Sequence, residues 1–101
     1  MIENNMRPVH PGEILREEYV RPLGLSANRL AIELRVPVTR ISKILNEERA
    51  VSPDTALRLA RYFGGDAQTW LNLQAAYDLK KAIAEHGADI ESDVRPRATA
   101  A

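Results

Sequence analysis

Five side chains able to donate hydrogen bonds lie close together: Thr39, Arg40, Ser42, Lys43 and Asn46. Ile41, Ile44 and Leu45 are interleaved with them. At 100° per residue, a helix that turns those three inward carries Thr39, Lys43 and Asn46 on its opposite side, with Arg40 and Ser42 on the flanks. Phosphate oxygens and base-edge acceptors are the natural partners of such a face. The helix would be about 13 Å long at ~1.5 Å per residue, a match for a major groove about 12 Å wide. The chemistry this pattern points to is DNA recognition. Thr39, through its hydroxyl or methyl, and Lys43, toward guanine acceptors, are the expected base readers. Arg40 would read guanine or clamp phosphate, Val38 opens the same helix at the expected contact surface, and Asn46 and Arg49 are expected on the backbone.

A second contact is expected one helix earlier. Ser26 stands where it would cap a helix beginning at Ala27, and the free amides of that first turn form an anion site that Asn28 and Arg29 could extend. Each polar residue alone is equally a solvated helix face. Thr39, Arg40 and Lys43 together, opposite an apolar stripe, carry the reading. Overall charge does not help, because 14 basic and 14 acidic residues cancel. Its distribution does: between Ser26 and Arg61 seven bases face four acids, whereas from Gly64 onward four bases face six acids. The segment with the donor face is therefore the basic one.

Other functions are disfavoured by what the chain lacks. There is no cysteine, and its two histidines, His10 and His86, are far apart, so neither a disulfide framework nor a zinc site is expected. Carboxylates are scattered along helix exteriors without a convergent nucleophile or base, so no catalytic site, metal or cofactor is expected. His10 reads as a helix cap, and Trp70 with Tyr77, seven apart, as a packed helix face. No stretch approaches the ~20 apolar residues of a membrane span and the first residues are polar, which makes the cytoplasm the expected location.

The elements that must position the donor face are all helices. Pro11 and Glu13 suit a helix start, and Pro22 its end, with Leu15, Tyr19 and Leu23 as the inward stripe. A second helix, residues 27–34, buries Ala27, Leu30, Ala31 and Leu34; after Arg35-Val36-Pro37 a third covers residues 38–46. Ala31 is the small pivot that lets these two approach at a steep angle, so residues 27–46 form a helix-turn-helix. Ser52 and Pro53 open a fourth helix, with Ala56, Leu59, Ala60 and Phe63 inward and Gly64-Gly65 as its stop. Asp66 caps a fifth, residues 67–85, ended by Gly87. The expectation is an all-α, five-helix DNA-binding domain over residues 1–86 and a flexible tail over residues 87–101.

The fifth helix has two apolar sides. Trp70, Leu73, Tyr77 and Ala84 gather on one, and Leu71, Ala75, Leu79 and Ala82 nearly opposite. A surface helix ordinarily has one such stripe, so the second calls for another partner, either the chain's own N-terminal segment or a second copy. A second copy is expected, with Leu71, Leu73, Ala75, Tyr77 and Leu79 as candidate interface residues. A homodimer would set two reading helices about 34 Å apart over an inverted repeat.

Several runs, in order, resemble the HigA family of antitoxins, also called VapI-like: His10-Pro11-Gly12-Glu13-Ile14-Leu15-Arg16-Glu17-Glu18-Tyr19, Pro22-Leu23-Gly24-Leu25-Ser26, Asp54-Thr55-Ala56-Leu57-Arg58-Leu59-Ala60-Arg61 and Trp70-Leu71-Asn72-Leu73-Gln74. The resemblance covers about residues 7–80. It implies a lambda-repressor-like fold, dimeric autorepression of a type II toxin–antitoxin operon, and neutralisation of a cognate HigB or RelE-like mRNA-cleaving toxin. Two positions depart from the family pattern, Arg35 and Glu47, where such proteins commonly carry glycine. A left-handed backbone at Arg35 would be strained by about 1 kcal/mol. Glu47 and Glu48 also weaken the positive field beside the donor face. A stand-alone phage-type or metabolic repressor, and an adaptor that has lost DNA binding, remain open from the residues alone.

Overall fold

The computed structural model describes residues 7–98. Its five helices are α1, an α-helical turn Pro11–Ile14 continuing into a π-helical stretch Leu15–Val20, then α2 (Ala27–Leu34), α3 (Val38–Leu45), α4 (Pro53–Phe63) and α5 (Ala67–Asp93). The described residues contain no strand, so the all-α, five-helix architecture expected from the sequence is the one observed.

Four of the five helices begin on a side-chain cap, while α3 opens on Pro37 without one. The His10 imidazole accepts the Gly12 N–H at 2.8 Å, Ser26 Oγ accepts Arg29 N–H at 2.9 Å, Ser52 Oγ accepts Thr55 N–H at 3.2 Å, and an Asp66 carboxylate oxygen accepts Thr69 N–H at 2.8 Å. These bonds satisfy first-turn amides that a helix cannot pair internally. The bonds to Thr69 also hold the Asp66 carboxyl below the usual carboxylate range.

The core lies where α1 to α4 converge on the start of α5. Leu15, Leu30, Ile41, Ile44, Ala56 and Leu59 are wholly buried, joined by Val20, Ala31, Leu34, Leu45, Val51 and Trp70. Ala31 is buried between α2 and α3, as a pivot must be. Gly12 permits a further close approach: a Cβ there would overlap the carbonyl oxygen of Ile44. Gln74 Oε1 accepts the buried Val51 N–H at 2.8 Å, fastening the α3–α4 connection to α5.

Two expectations are corrected. Leu23 is not part of the inward stripe of α1 but 61% exposed. The i→i+5 bonding of the π-helical stretch widens the turn, so Val20, five residues after Leu15, takes the buried place that a four-residue spacing would give to later positions. The second correction concerns α5, which does not stop at Gly87 but runs to Asp93. Gly87 has a negative φ inside the helix, and a glycine costs only about 1 kcal/mol there, too little to end a helix of this length. Residues 87–93 are thus helix rather than tail.

At 27 residues α5 is about 40 Å long at ~1.5 Å per residue and accounts for most of the 56 Å long axis of the molecule. From Lys81 onward every described residue except Gly87 is exposed.

Candidate nucleic-acid interface

The turn between α2 and α3 is where the donor face is aimed. Arg35, the C-cap of α2, is left-handed at φ 60°, ψ 45°, and Glu47, just past α3, has φ 63°. They are the only non-glycine residues with positive φ among those described, at the two positions where the resemblance led glycine to be expected. Specific bonds fasten each end. The Val36 N–H donates to Ala31 O at 3.0 Å and Arg58 Nη1 donates to Leu34 O at 2.9 Å, satisfying two end carbonyls of α2. Arg16, on α1, donates to Leu45 O and pairs with Glu47 at 3.3 Å, which holds the far end of α3.

With Ile41, Ile44 and Leu45 buried, Thr39, Lys43 and Asn46 are exposed, Ser42 and Arg40 are half-buried flanks, and Val38 is exposed at the helix start. Lys43 and Arg49 have no ion-pair partner among the described residues. Ser26 caps α2, with Asn28 and Arg29 exposed in the following turn; Arg29 pairs along the helix with Glu33 at 2.8 Å.

Arg40 differs from the other donors. Its Nη1 lies 2.6 Å from Asp54 Oδ2, and Arg58 Nε lies 2.9 Å from the same oxygen. Hydrogen bonds from Arg58 and Arg40 hold the Asp54 carboxyl below the usual carboxylate range. Sequence reasoning did not give Asp54 or Arg58 a role. Their four-residue spacing on a helix was a visible signal, but the tertiary partners, Arg40 and the Leu34 carbonyl, were not. Gln74 was missed for the same reason.

The α5 positions divide differently from the two expected sides. Leu71 and Leu73 pack against the core beside Trp70, and Tyr77 is half-buried with its ring 4.8 Å from that of His10. Ala75 is exposed, and Leu79 is 62% exposed. Three of the five candidate interface residues are thus partly covered by their own chain, because α1 and the segment before it lie against α5. Leu79 instead begins a run with Ile83 and Ile90, all exposed and spaced four and seven apart on one side of α5, and the exposed Val94 follows at the C-cap just past the helix end. Among the described residues no group of His, Cys, Asp and Glu could hold a metal ion, and no helix is long and apolar enough to cross a membrane.

Residues 15–70 match the helix-turn-helix family model, the segment from the first buried leucine to the buried tryptophan. Virulence-associated protein I of Dichelobacter nodosus is 62% identical over 80 residues, 79% of this chain and 74% of that protein. Among solved structures, an addiction-module antidote protein of the HigA family from Coxiella burnetii is 52% identical with a TM-score of 0.85, over 90% of this chain and 99% of that one. Antitoxin HigA of Pseudomonas aeruginosa, solved with the higBA promoter, is 43% identical with a TM-score of 0.88, over 91% of this chain and all of the other. The chain belongs to the helix-turn-helix family and, within it, to the HigA antitoxins.

Proposed function

We propose that this protein is an operator-binding autorepressor and the antitoxin of a type II module, acting in the cytoplasm as a homodimer. The observation that carries the reading is the exposed donor face of α3, where the Thr39, Lys43 and Asn46 side chains have no hydrogen-bond partner among the described residues, on a helix locked at both ends. Thr39 and Lys43 read base edges in the major groove, Arg40 anchors one end of the helix, and the Ser26 turn with Asn28 and Arg29 meets phosphate. The Pseudomonas aeruginosa relative was solved on promoter DNA, which supports the same use of the same fold.

The dimer is built on α5. Leu79, Ile83 and Ile90, followed by Val94 at the C-cap, form an apolar run along a projecting helix that its own core does not reach, and a second copy covers it self-complementarily. Two-fold symmetry then makes the operator an inverted repeat. The partner to be neutralised is a RelE-like, mRNA-cleaving toxin, bound without use of the α3 face.

Co-expression with the product of the adjacent gene, followed by copurification, tests the antitoxin part. A stable complex that survives Lys43→Ala is expected. No complex with wild type would remove the antitoxin role and leave a stand-alone repressor. Failure of wild type to select any sequence from a random duplex library would remove the repressor role as well.

A further inference from the structure

From the bonds around Asp54 we infer that this residue is a positioning residue for operator recognition: it fixes the Arg40 guanidinium at the edge of the α3 donor face. The inference rests on the repressor reading and deepens it.

The geometry is a continuous chain of contacts. Arg58 Nη1 donates to the Leu34 carbonyl at 2.9 Å, and its Nε reaches Asp54 Oδ2 at 2.9 Å. The same oxygen receives Arg40 Nη1 at 2.6 Å. The end of α2, the first turn of α4 and the first turn of α3 are thereby tied through two guanidinium groups and one carboxylate. An arginine side chain has four rotatable bonds, and ordering it costs free energy when it binds. Arg40 has met that cost before DNA arrives, with its side chain still a quarter exposed. One of its five N–H donors faces Asp54, and Nε and Nη2 have no partner among the described residues.

The sign of the charge makes the idea testable. Asp54 is a carboxylate beside a surface meant for a polyanion, and on Coulomb's law alone it should oppose DNA everywhere. Removing it should therefore strengthen binding to every duplex if it acts only as a charge. If it positions Arg40, its removal costs the operator specifically.

Wild type, Asp54→Ala, Asp54→Asn and Arg40→Ala are compared on a duplex that wild type selects from a random library and on a scrambled duplex of the same length, over a range of salt. Asp54→Ala is expected to lower the operator-to-scrambled affinity ratio by roughly fivefold or more, the low end of one specific contact, while scrambled binding stays level or rises. Asp54→Asn keeps an acceptor for Arg40 and is expected to recover part of the ratio. In an Arg40→Ala background, Asp54→Ala should change the ratio no further. Thermal melting monitors the fold, and if Asp54→Ala melts below the assay temperature the Asn variant carries the test, expected to lower the ratio by less. An equal rise on both duplexes, an unchanged ratio, or an undiminished effect in the Arg40→Ala background would overturn the inference. Wild type that binds the two duplexes alike overturns the repressor reading, and the inference with it.

Discussion

Residues 10–74 and residues 75–98 draw on the same apolar side chains and treat them in opposite ways. In the first region leucine and isoleucine from four helices close over one another, and no buried side-chain polar atom among the described residues lacks a partner. In the second, Leu79, Ile83 and Ile90 stand exposed on a helix and Val94 stands exposed at its C-cap. The first region closes its core within one chain, with Leu23, Ile32, Val38, Leu57 and Tyr62 left exposed around it. On the proposed function the second is covered by another copy, since a helix in a protein draws most of its stability from tertiary packing of an apolar face. On that proposal the reading surface lies on the first region and the assembly surface on the second, so the two should be separable by mutation.

The largest effect is expected in the closed region. Gly12→Ala drives a methyl into the Ile44 carbonyl, and because backbone must move, a loss of about 3 kcal/mol or more is expected in denaturant unfolding. A change below about 1 kcal/mol would mean that α1 and α3 are less tightly apposed than described.

Next comes the contrast within α5. Leu73→Glu pushes a charge against the core and should cost about 2 kcal/mol or more of stability. Leu79→Glu should leave a folded protein that elutes as a monomer and binds the full operator roughly a hundredfold more weakly, through loss of the second half-site. A dimeric Leu79→Glu protein would place the assembly surface elsewhere.

A smaller effect is expected with pH. His10 is 3% exposed, accepts the Gly12 N–H and touches Tyr77; burial pushes its pKa below the ordinary 6.5. The folded state therefore favours the neutral ring while the unfolded chain binds the proton normally. This contribution is present above about pH 6.5 and is lost as the pH falls below it. His10→Asn, which can still accept the cap bond, should flatten stability in that range, and an unchanged pH profile would assign the effect to another group.

The smallest effect concerns the turn. Arg35→Gly relieves a left-handed backbone and should raise stability by up to about 1 kcal/mol. A clear loss would mean that the Arg35 side chain makes a stabilising contact.

Much of this arrangement was legible in the sequence because its signals are local. Ser26, Ser52 and Asp66 are caps in both, and the stripe Ile41, Ile44, Leu45 alone fixes which face of α3 is left exposed. The left-handed turn at Arg35 followed from a departure in the family pattern. What depended on tertiary neighbours was not legible. The π-helical stretch that expels Leu23 leaves no local mark in the sequence. The persistence of α5 past Gly87 reflects a cooperative helix overriding one poor residue. The division of α5 into covered and uncovered lengths depends on where α1 lies, and the Asp54 contacts join three helices that are separate in sequence.

The central claim is that the exposed face of α3 reads the operator without supporting the fold, and Lys43→Ala tests it most directly. Lys43 is exposed and unpaired among the described residues, so thermal melting should be unchanged. Titration against the selected duplex and a scrambled control should show discrimination falling by about 1–3 kcal/mol per half-site. Undiminished discrimination by a folded, dimeric Lys43→Ala protein would contradict Lys43 as a base reader, and the same result with Thr39→Ala would contradict α3 as the reading helix.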